Sequence, residues 1–357
     1  MNAPFALAPA ATIRLVDPAA EAPRIGAFLA DHPDATLFHT PEWLLAVAAG
    51  TGNRALALVA ERGSRIVGYL PLSEIHSPLF GRMLASTGFA VGGGLLLTEE
   101  ADPEIVFAAL EELALRRSAP AVELRGGHLP QARAGWACKD QSHAGFVAPL
   151  APDDEAQLLA IPRKQRAEVR KGLEQSLEIT VGRGPRDRAA HYAVYAESVR
   201  NLGTPVFPAR LFAAMLDHFG DRAGILTVWH EEAPVASVLS FTWRGAIMPY
   251  WGGGTRLARP LRANDRMYFE LMRHARGSGA IRFDFGRSKT GSGAYHFKRN
   301  WGFAPAPLAY AAWTAPGHSP RDADPTSARH VARIAAWQRL PLSLANRFGP
   351  LIARGLG

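Results

Sequence analysis

Residues 283–303, FDFGRSKTGSGAYHFKRNWGF, gather most of the groups in this chain that could do chemistry. Alternation along a strand places Phe283 and Phe285 on one face and Asp284 on the other. A carboxylate there can accept a proton directly or through water. The run then turns glycine-rich, and Gly286, Gly291 and Gly293 would let a loop close over a ligand. Tyr295, Phe297, Trp301 and Phe303 follow, surrounding Lys298. Arginines outnumber lysines 35 to 5, so Lys289 and Lys298 stand out within this one segment. Upstream, Arg256, Arg259 and Arg262 precede a helical pattern, where cationic side chains and backbone N–H groups together suit phosphate. Tyr250 and Trp251 precede three glycines and suit the lining of an acceptor cleft. Arg200 has the planar fork that binds phosphate or carboxylate.

Other chemistries lack their residues. The single cysteine, Cys138, excludes an intramolecular disulfide and a cysteine zinc cage and fits a reducing compartment. There is no phosphate-binding G-x-x-x-x-G-K-[ST], no G-x-S-x-G, no H-E-x-x-H and no metal-ligand spacing. His39, His128 and His296 are scattered, and His39 is a candidate for a groove between domains. The start, MNAPFALAPAATIRL, has no basic segment before its short apolar run, so no signal peptide is expected. No stretch reaches the roughly 20 apolar residues that span a bilayer. The expectation is a cytoplasmic protein, at most peripheral to a membrane.

The elements that must hold these residues come twice. FHTPEWLLAV from Phe38 and FPARLFAAML from Phe207 each give an aromatic, a proline turn and a helix start. Residues 55–75 and 224–243 each read as strand, turn, strand. FAVGGGLLL (89–97) and MPYWGGGTRL (248–257) each read as a strand running into three glycines. A helix follows each: the first capped by Asp102 with Pro103 at its start, the second capped by Asn264 or Asp265 and stopped by Gly277. Each then leads to a strand, AVELRG and IRFDFG. Repeated, this order predicts an α/β protein of two domains with mixed sheets. The expected division is 1–150, 151–315 and a helical tail at 316–357. Residues 163–176 read as a basic connecting helix, with Arg163, Arg166 and Arg170 on one face and Val169 and Leu173 on another.

Charge divides with the repeat: residues 1–150 carry a net −4 and residues 151–357 a net +12, within a total of +8. A basic second half suits an anionic partner. The tail mixes Val331, Ile334, Trp337, Leu340 and Phe348 with Arg329, His330, Arg333, Arg339, Arg347 and Arg354. It suits either an anionic membrane surface or packing on its own domain.

Strand, glycine break, helix and strand in this order resemble the GNAT acyltransferase fold. Two such units with a basic helix between them resemble the FemAB family. SVRNLGTPVFP (198–208) and GAYHFKRNWGF (293–303) carry the likeness, and the whole arrangement is similar to FemAB-like proteins associated with exosortase/PEP-CTERM and exopolysaccharide systems. The resemblance implies two tandem GNAT-like domains and transfer of an acyl or aminoacyl group to an amine. The implied donor is aminoacyl-tRNA or acyl-CoA, with no tightly bound cofactor, and the acceptor an amine-bearing glycan or peptide precursor. By resemblance Lys298 matches the family's lysine next to phenylalanine; with Asp284 it is the expected catalytic pair, and Phe297, Arg256, Arg262, Lys289 and Tyr295 are expected on the donor side. Arg200, Asn201, Tyr250, Trp251, His39 and Trp43 fall on the acceptor side. The expected active site lies in the C-terminal unit, facing the groove between the domains, with the first domain as scaffold. GNAT enzymes cradle the pyrophosphate of acyl-CoA with R/Q-x-x-G-x-G/A between strand and helix; here GGGTRLARPLRAND departs from that pattern. Leu44–Ala48 after Trp43 also lack the lysine that Fem relatives often place there. Two further readings are an acyl-CoA-dependent transferase acting on an amino sugar or nucleotide-linked glycan, and a non-catalytic module that binds anionic ligands.

Overall fold

The computed structural model describes residues 11–78, 80–321 and 328–355, without the side chains of 328–333. The leader reading of the first ten residues, and the tail side chains Arg329, His330, Val331 and Arg333, fall outside that description. Two units emerge: one of residues 1–139, 310–321 and 355–357, the other of 140–309 and 322–354. The sequence-based division at 150 differs because contacts split the chain inside a strand, Trp136–Pro149.

The first unit holds β1 (Thr12–Val16), α1 (Ala22–Asp31), α2 (Pro41–Thr51), β2 (Arg54–Arg62), β3 (Arg65–Ser77), β4 (Gly81–Ala85), β5 (Leu96–Leu97), α3 (Pro103–Arg116) and β6 (Ala121–Arg125). Its sheet runs β1-β2-β3-β4-β6, with β5 on β3. The β2–β3 hairpin is buried on both faces, hence its near-continuous apolar sequence. Asp102 caps α3 by accepting from the Glu104 N–H at 2.9 Å, as its position predicts.

The FAVGGG segment differs from expectation. The strand lies earlier, at β4, and the glycines allow a close crossing of two chains: a Cβ on Gly94 would lie inside the Gly126 carbonyl. Hydrophobicity beside a glycine run is the same for a strand and for a packed loop.

The second unit holds β7 (Trp136–Pro149), α4 (Asp154–Ala160), α5 (Arg163–Glu174), β8 (Glu178–Gly182), α6 (Pro185–Asn201), α7 (Ala209–Phe219), β9 (Ala223–His230), β10 (Ala233–Trp243), β11 (Ala246–Gly254), α8 (Ala263–Gly277), β12 (Arg282–Lys289), α9 (Gly293–Asn300), the first half of β13 (Pro305–Thr314), α10 (Ala328–Arg339) and α11 (Leu342–Ala353). Its strands run β7-β12-β11-β10-β9-β8, and one continuous core joins α5 and α8 to β7, β9–β12 and Trp301. α8 is not capped by Asn264 or Asp265. Its cap position is two residues before Asn264, at Arg262, which lies in the left-handed region at φ 53°. The tail packs on its own unit: Gln338 donates to the Asn201 carbonyl at 3.2 Å, and Gly203 lies against Ile334.

Two buried histidines make stability acid-sensitive. In the first unit His39 is 2% exposed and accepts at Nδ1 from the Thr36 N–H at 3.0 Å, so its Nε2–H donates to the Gly94 carbonyl at 3.0 Å. In the second, His191 is wholly buried, with Nδ1 3.1 Å from the Ser237 hydroxyl. Burial pushes the first down to about 4 and the second to about 3. Between the ordinary histidine value and these, the unfolded chain binds protons that the folded chain does not. Stability is therefore full above pH ~6.5 and is lost as pH falls towards about 4 and 3. Urea midpoints are expected to fall steeply between pH 7 and pH 5, and less steeply in a His39→Gln variant.

Candidate active site

The expected site residues of the second unit gather around two strands that share a base and then diverge. β11 and β12 are parallel and pair at Ala246–Arg282 and Ile247–Phe283. Beyond that base β11 bulges against β10 at Tyr250: Leu239 faces Trp251 while Ser240 faces Pro249. β12 bulges against β7 at Phe285–Gly286, between the pairs Asp284–Val147 and Arg287–Gly145. A bulge bends its strand and adds local twist, so the two strands leave their common base on different courses.

Lys298 anchors the β12 bulge. It projects from α9, is 9% exposed, and its ammonium donates to the carbonyls of Gly286 at 3.3 Å and Arg287 at 2.9 Å. The rings of Phe146 and Phe285 lie 5.4 and 5.9 Å from the nitrogen, within cation–π range. Burial lowers its pKa to about 8, against the opposing pull of Asp284. Asp284 accepts from the Gly286 N–H at 2.8 Å, and burial raises its carboxyl above the usual carboxylate range, partly offset by that bond and the Lys298 charge. The two groups thus meet on one bulge, one a weakened cation and the other a weakened acid.

The glycine-rich loop is shorter than its sequence suggests. Gly286 lies inside β12, Gly293 opens α9, and only Thr290–Ser292 form the turn. That turn is tied at both ends. Thr290 donates its N–H to Ser142 at 3.0 Å and its hydroxyl to Gln141 at 2.8 Å, and Ser292 caps α9 by accepting from Tyr295. A mobile flap is therefore replaced by a capped helix. Phe297 is partly buried and packs among Tyr268, Phe285 and Trp301. Tyr295 meets Phe146 edge-on at 5.4 Å, and Lys289 lies on β12 opposite His143.

The arginines of the β11–α8 segment divide. Arg256 and Arg259 are exposed, and Arg256 gives its backbone N–H to Glu197 at 2.9 Å. Arg262 is engaged, its guanidinium 2.5 Å from Glu168 of α5 and donating to the Arg259 carbonyl. α5 covers the start of α8: Gln165 donates to Asp265 at 2.6 Å, Arg266 donates to the Leu173 carbonyl at 3.1 Å, and a Cβ on Gly172 would stand 3.0 Å from the Arg262 carbonyl.

On the acceptor side, Trp251 is 6% exposed and packs on Phe212, with Tyr250 edge-on to it at 4.7 Å. Arg200 belongs to α6, where it donates to the Gln338 carbonyl at 3.3 Å, and neighbouring Asn201 is capped by the same glutamine. The tail helix α10 holds both. His39 and Trp43 are corrections. Both sit inside the first unit, His39 bridging backbone groups and Trp43 fully buried with its indole N–H donating to the Gly88 carbonyl at 3.0 Å. Sequence reasoning missed Phe146 under the Lys298 ammonium and the Gln165–Glu168 face of α5. The i, i+3 spacing of those two polar residues, opposite the arginine face, was the available signal.

Residues 163–299, from the first residue of α5 to the residue after Lys298, match the family described as an acetyltransferase (GNAT) domain. The matched stretch lies within the second unit. The fold of the chain is similar to that of FemX, at 13% identity over 84% of this chain and 96% of that one, with a TM-score of 0.61. It is also similar to a tandem GNAT protein from the clavulanic acid biosynthesis pathway, at 14% identity over 86% and 100%, TM-score 0.56. A third similar structure is the C-terminal domain of a putative lysylphosphatidylglycerol synthetase from Agrobacterium fabrum, at 13% over 83% and 92%, TM-score 0.54. At such identities these likenesses establish the fold, two GNAT-like units in tandem. No curated protein matches in sequence. Within the matched stretch, the diverging β11 and β12, the covered start of α8 and Lys298 on the β12 bulge are the features on which a chemical reading rests.

Proposed function

We propose that this protein is an N-acyltransferase that moves an aminoacyl group from aminoacyl-tRNA to an amine acceptor in cell-envelope or exopolysaccharide metabolism. The observation that carries the choice of donor is the covered start of α8. In GNAT enzymes that use acyl-CoA, the pyrophosphate rests on the backbone N–H groups of that first turn. Here the turn carries Asp265, bound by Gln165, and α5 lies over it. A phosphate bound there would meet the Asp265 carboxyl of the first turn and the α5 helix beside it.

Exposed cations support a longer anion. Arg163, Lys164 and Arg170 line the outer side of α5, with Arg256 and Arg259 on the β11–α8 segment and Arg299 at the end of α9. α5 alone spans roughly 18 Å at 1.5 Å per residue, the scale of several phosphates along a nucleic-acid strand.

In the reaction, the acceptor's neutral amine attacks the ester carbonyl and the C–N bond forms. The C–O bond to the ribose then breaks, the ammonium loses a proton, and the ribose oxygen gains one. The Lys298 ammonium supplies fixed positive charge beside the developing oxyanion, a contribution of about 2.7–4 kcal/mol for a well-placed donor. Asp284, with its raised pKa, takes up the amine proton directly or through water.

Equilibrium binding of charged tRNA and of acetyl-CoA at two salt concentrations tests this. The expected result is tRNA binding that weakens steeply with salt, with little affinity for acetyl-CoA. Tighter binding of acetyl-CoA would turn the assignment to the acyl-CoA-dependent reading.

A further inference from the structure

The second unit contains a cavity of about 250 Å³ at the end of α8 opposite to Arg262 and Asp265, between strands β8–β11 and the last turns of that helix. Val181, Leu226 and Ile247 of the sheet and Leu271 of α8 give it apolar walls. Gly224 lies two residues before Leu226 on β9, so both share one face of the strand. A Cβ built on Gly224 would meet nothing within 4 Å, so this strand leaves room where a side chain would ordinarily pack. Arg183, Arg222 and His274 stand around the same space, with Asp221 as the one carboxylate among its lining residues. Arg222 lies over the Phe219 ring at 5.2 Å. Arg183 pairs with Asp221 at 2.6 Å, but the Asp221 side chain is 95% exposed, and an ion pair so open to water contributes little. The end of α8 does not present bare acceptors to an anion. The carbonyls of His274, Ala275 and Arg276 all accept from the backbone N–H groups of residues 278–280.

We propose that this cavity binds a small carboxylate carrying an apolar body. The planar fork of Arg183 takes the carboxylate, for which guanidinium geometry is suited, in exchange for its exposed pair with Asp221. The apolar body fills the space beside Gly224 and covers Leu226, Ile247 and Leu271. A volume of about 250 Å³ is the share of about eight waters in the liquid, which suits a body of roughly six to eight carbons. Inorganic phosphate would use the cations and leave the apolar walls wet, and a neutral molecule would do the reverse. α8 has 15 residues, so roughly 22 Å of helix at 1.5 Å per residue separates its two ends. The proposal is independent of the acyl-transfer reading.

The test is titration of the full chain with phenylacetate and 4-methylpentanoate, followed by calorimetry, with phenylacetamide and inorganic phosphate as controls. At least one carboxylate should bind with a dissociation constant of about a millimolar or tighter, the range for a ligand of this size. Phenylacetamide and phosphate should bind at least about tenfold more weakly, each lacking one half of the recognition. Arg183→Gln should weaken carboxylate binding about tenfold, and Asp221→Asn, which releases Arg183, should strengthen it. Gly224→Val should abolish binding while leaving the melting temperature unchanged or raised, since the added carbons enter open space on a strand. Absence of binding by both carboxylates overturns the proposal, as does undiminished binding in Gly224→Val. Equal binding of phenylacetamide, or unchanged affinity in Arg183→Gln, overturns the assignment of a carboxylate even if the cavity is occupied.

Discussion

Replacement of Lys298 by alanine is expected to lower the rate of the proposed aminoacyl transfer by about a hundredfold or more, the usual range for loss of one preorganised donor at an oxyanion. Hydroxylamine serves as a small acceptor, and release of the amino acid from charged tRNA is the measurement. Two physical effects must be separated, because the ammonium also holds the carbonyls of Gly286 and Arg287. Its loss leaves two partly buried acceptors without that donor, at about 1–3 kcal/mol each where water cannot replace it. The pH profile separates them. With a pKa near 8, the cation is present below that pH and lost above it, so transfer should fall on an alkaline limb close to 8. On the acid side, activity should fall at a pH above the usual aspartate range, as Asp284 becomes protonated and ceases to accept. Lys298→Arg keeps the charge throughout and should remove the alkaline limb while retaining part of the rate. An unchanged rate in Lys298→Ala, accompanied only by a lower melting temperature, would assign this lysine to holding the bulge and nothing more.

The two glycine triplets should respond differently to the same small change. Gly94→Ala in the first unit is expected to lose 3 kcal/mol or more, roughly the upper end for overpacking. The added carbon meets the Gly126 backbone carbonyl, which no side-chain substitution removes. Gly253→Ala in the second unit also overpacks, but against the side chain of Ser198 on α6. There the expected loss is about 1–3 kcal/mol, and Ser198→Gly should recover much of it, a coupling of about 1 kcal/mol or more between the two sites. Urea unfolding of the single and double variants provides the comparison. An additive double variant would mean that α6 moves away from β11 rather than resting on it.

Much of the second unit was legible because its signals are local. The β9–β10 hairpin, the α8 helix and the alternation of Phe283, Asp284 and Phe285 each follow from spacing over a few residues. β7 and β13 were not legible. β7 is polar and exposed along most of its first half, so it carries no alternating apolar pattern, and its place depends on residues distant in sequence. The capping of α8 was misjudged for a related reason. Asn264 and Asp265 have the right chemistry for a cap, but Asp265 is taken by Gln165 from a helix about a hundred residues earlier. Lys298 was named from the resemblance of its segment to the FemAB family and Asp284 from its place on a strand between two phenylalanines. The carbonyls and the Phe146 ring that set the lysine's pKa come from β12 and β7, and no short motif connects them.

The seating of α5 on α8 also bears on how the second unit behaves when empty. A helix start that waits for a phosphate is incomplete until its ligand arrives, and such domains gain heat stability on binding. On the proposed reading, Asp265 in the first turn and Glu168 paired with Arg262 already occupy the surroundings of this helix start. A thermal-shift screen of nucleotide cofactors against this protein should therefore stay flat, and silence in such a screen would be a property of the architecture rather than a sign of an inert protein.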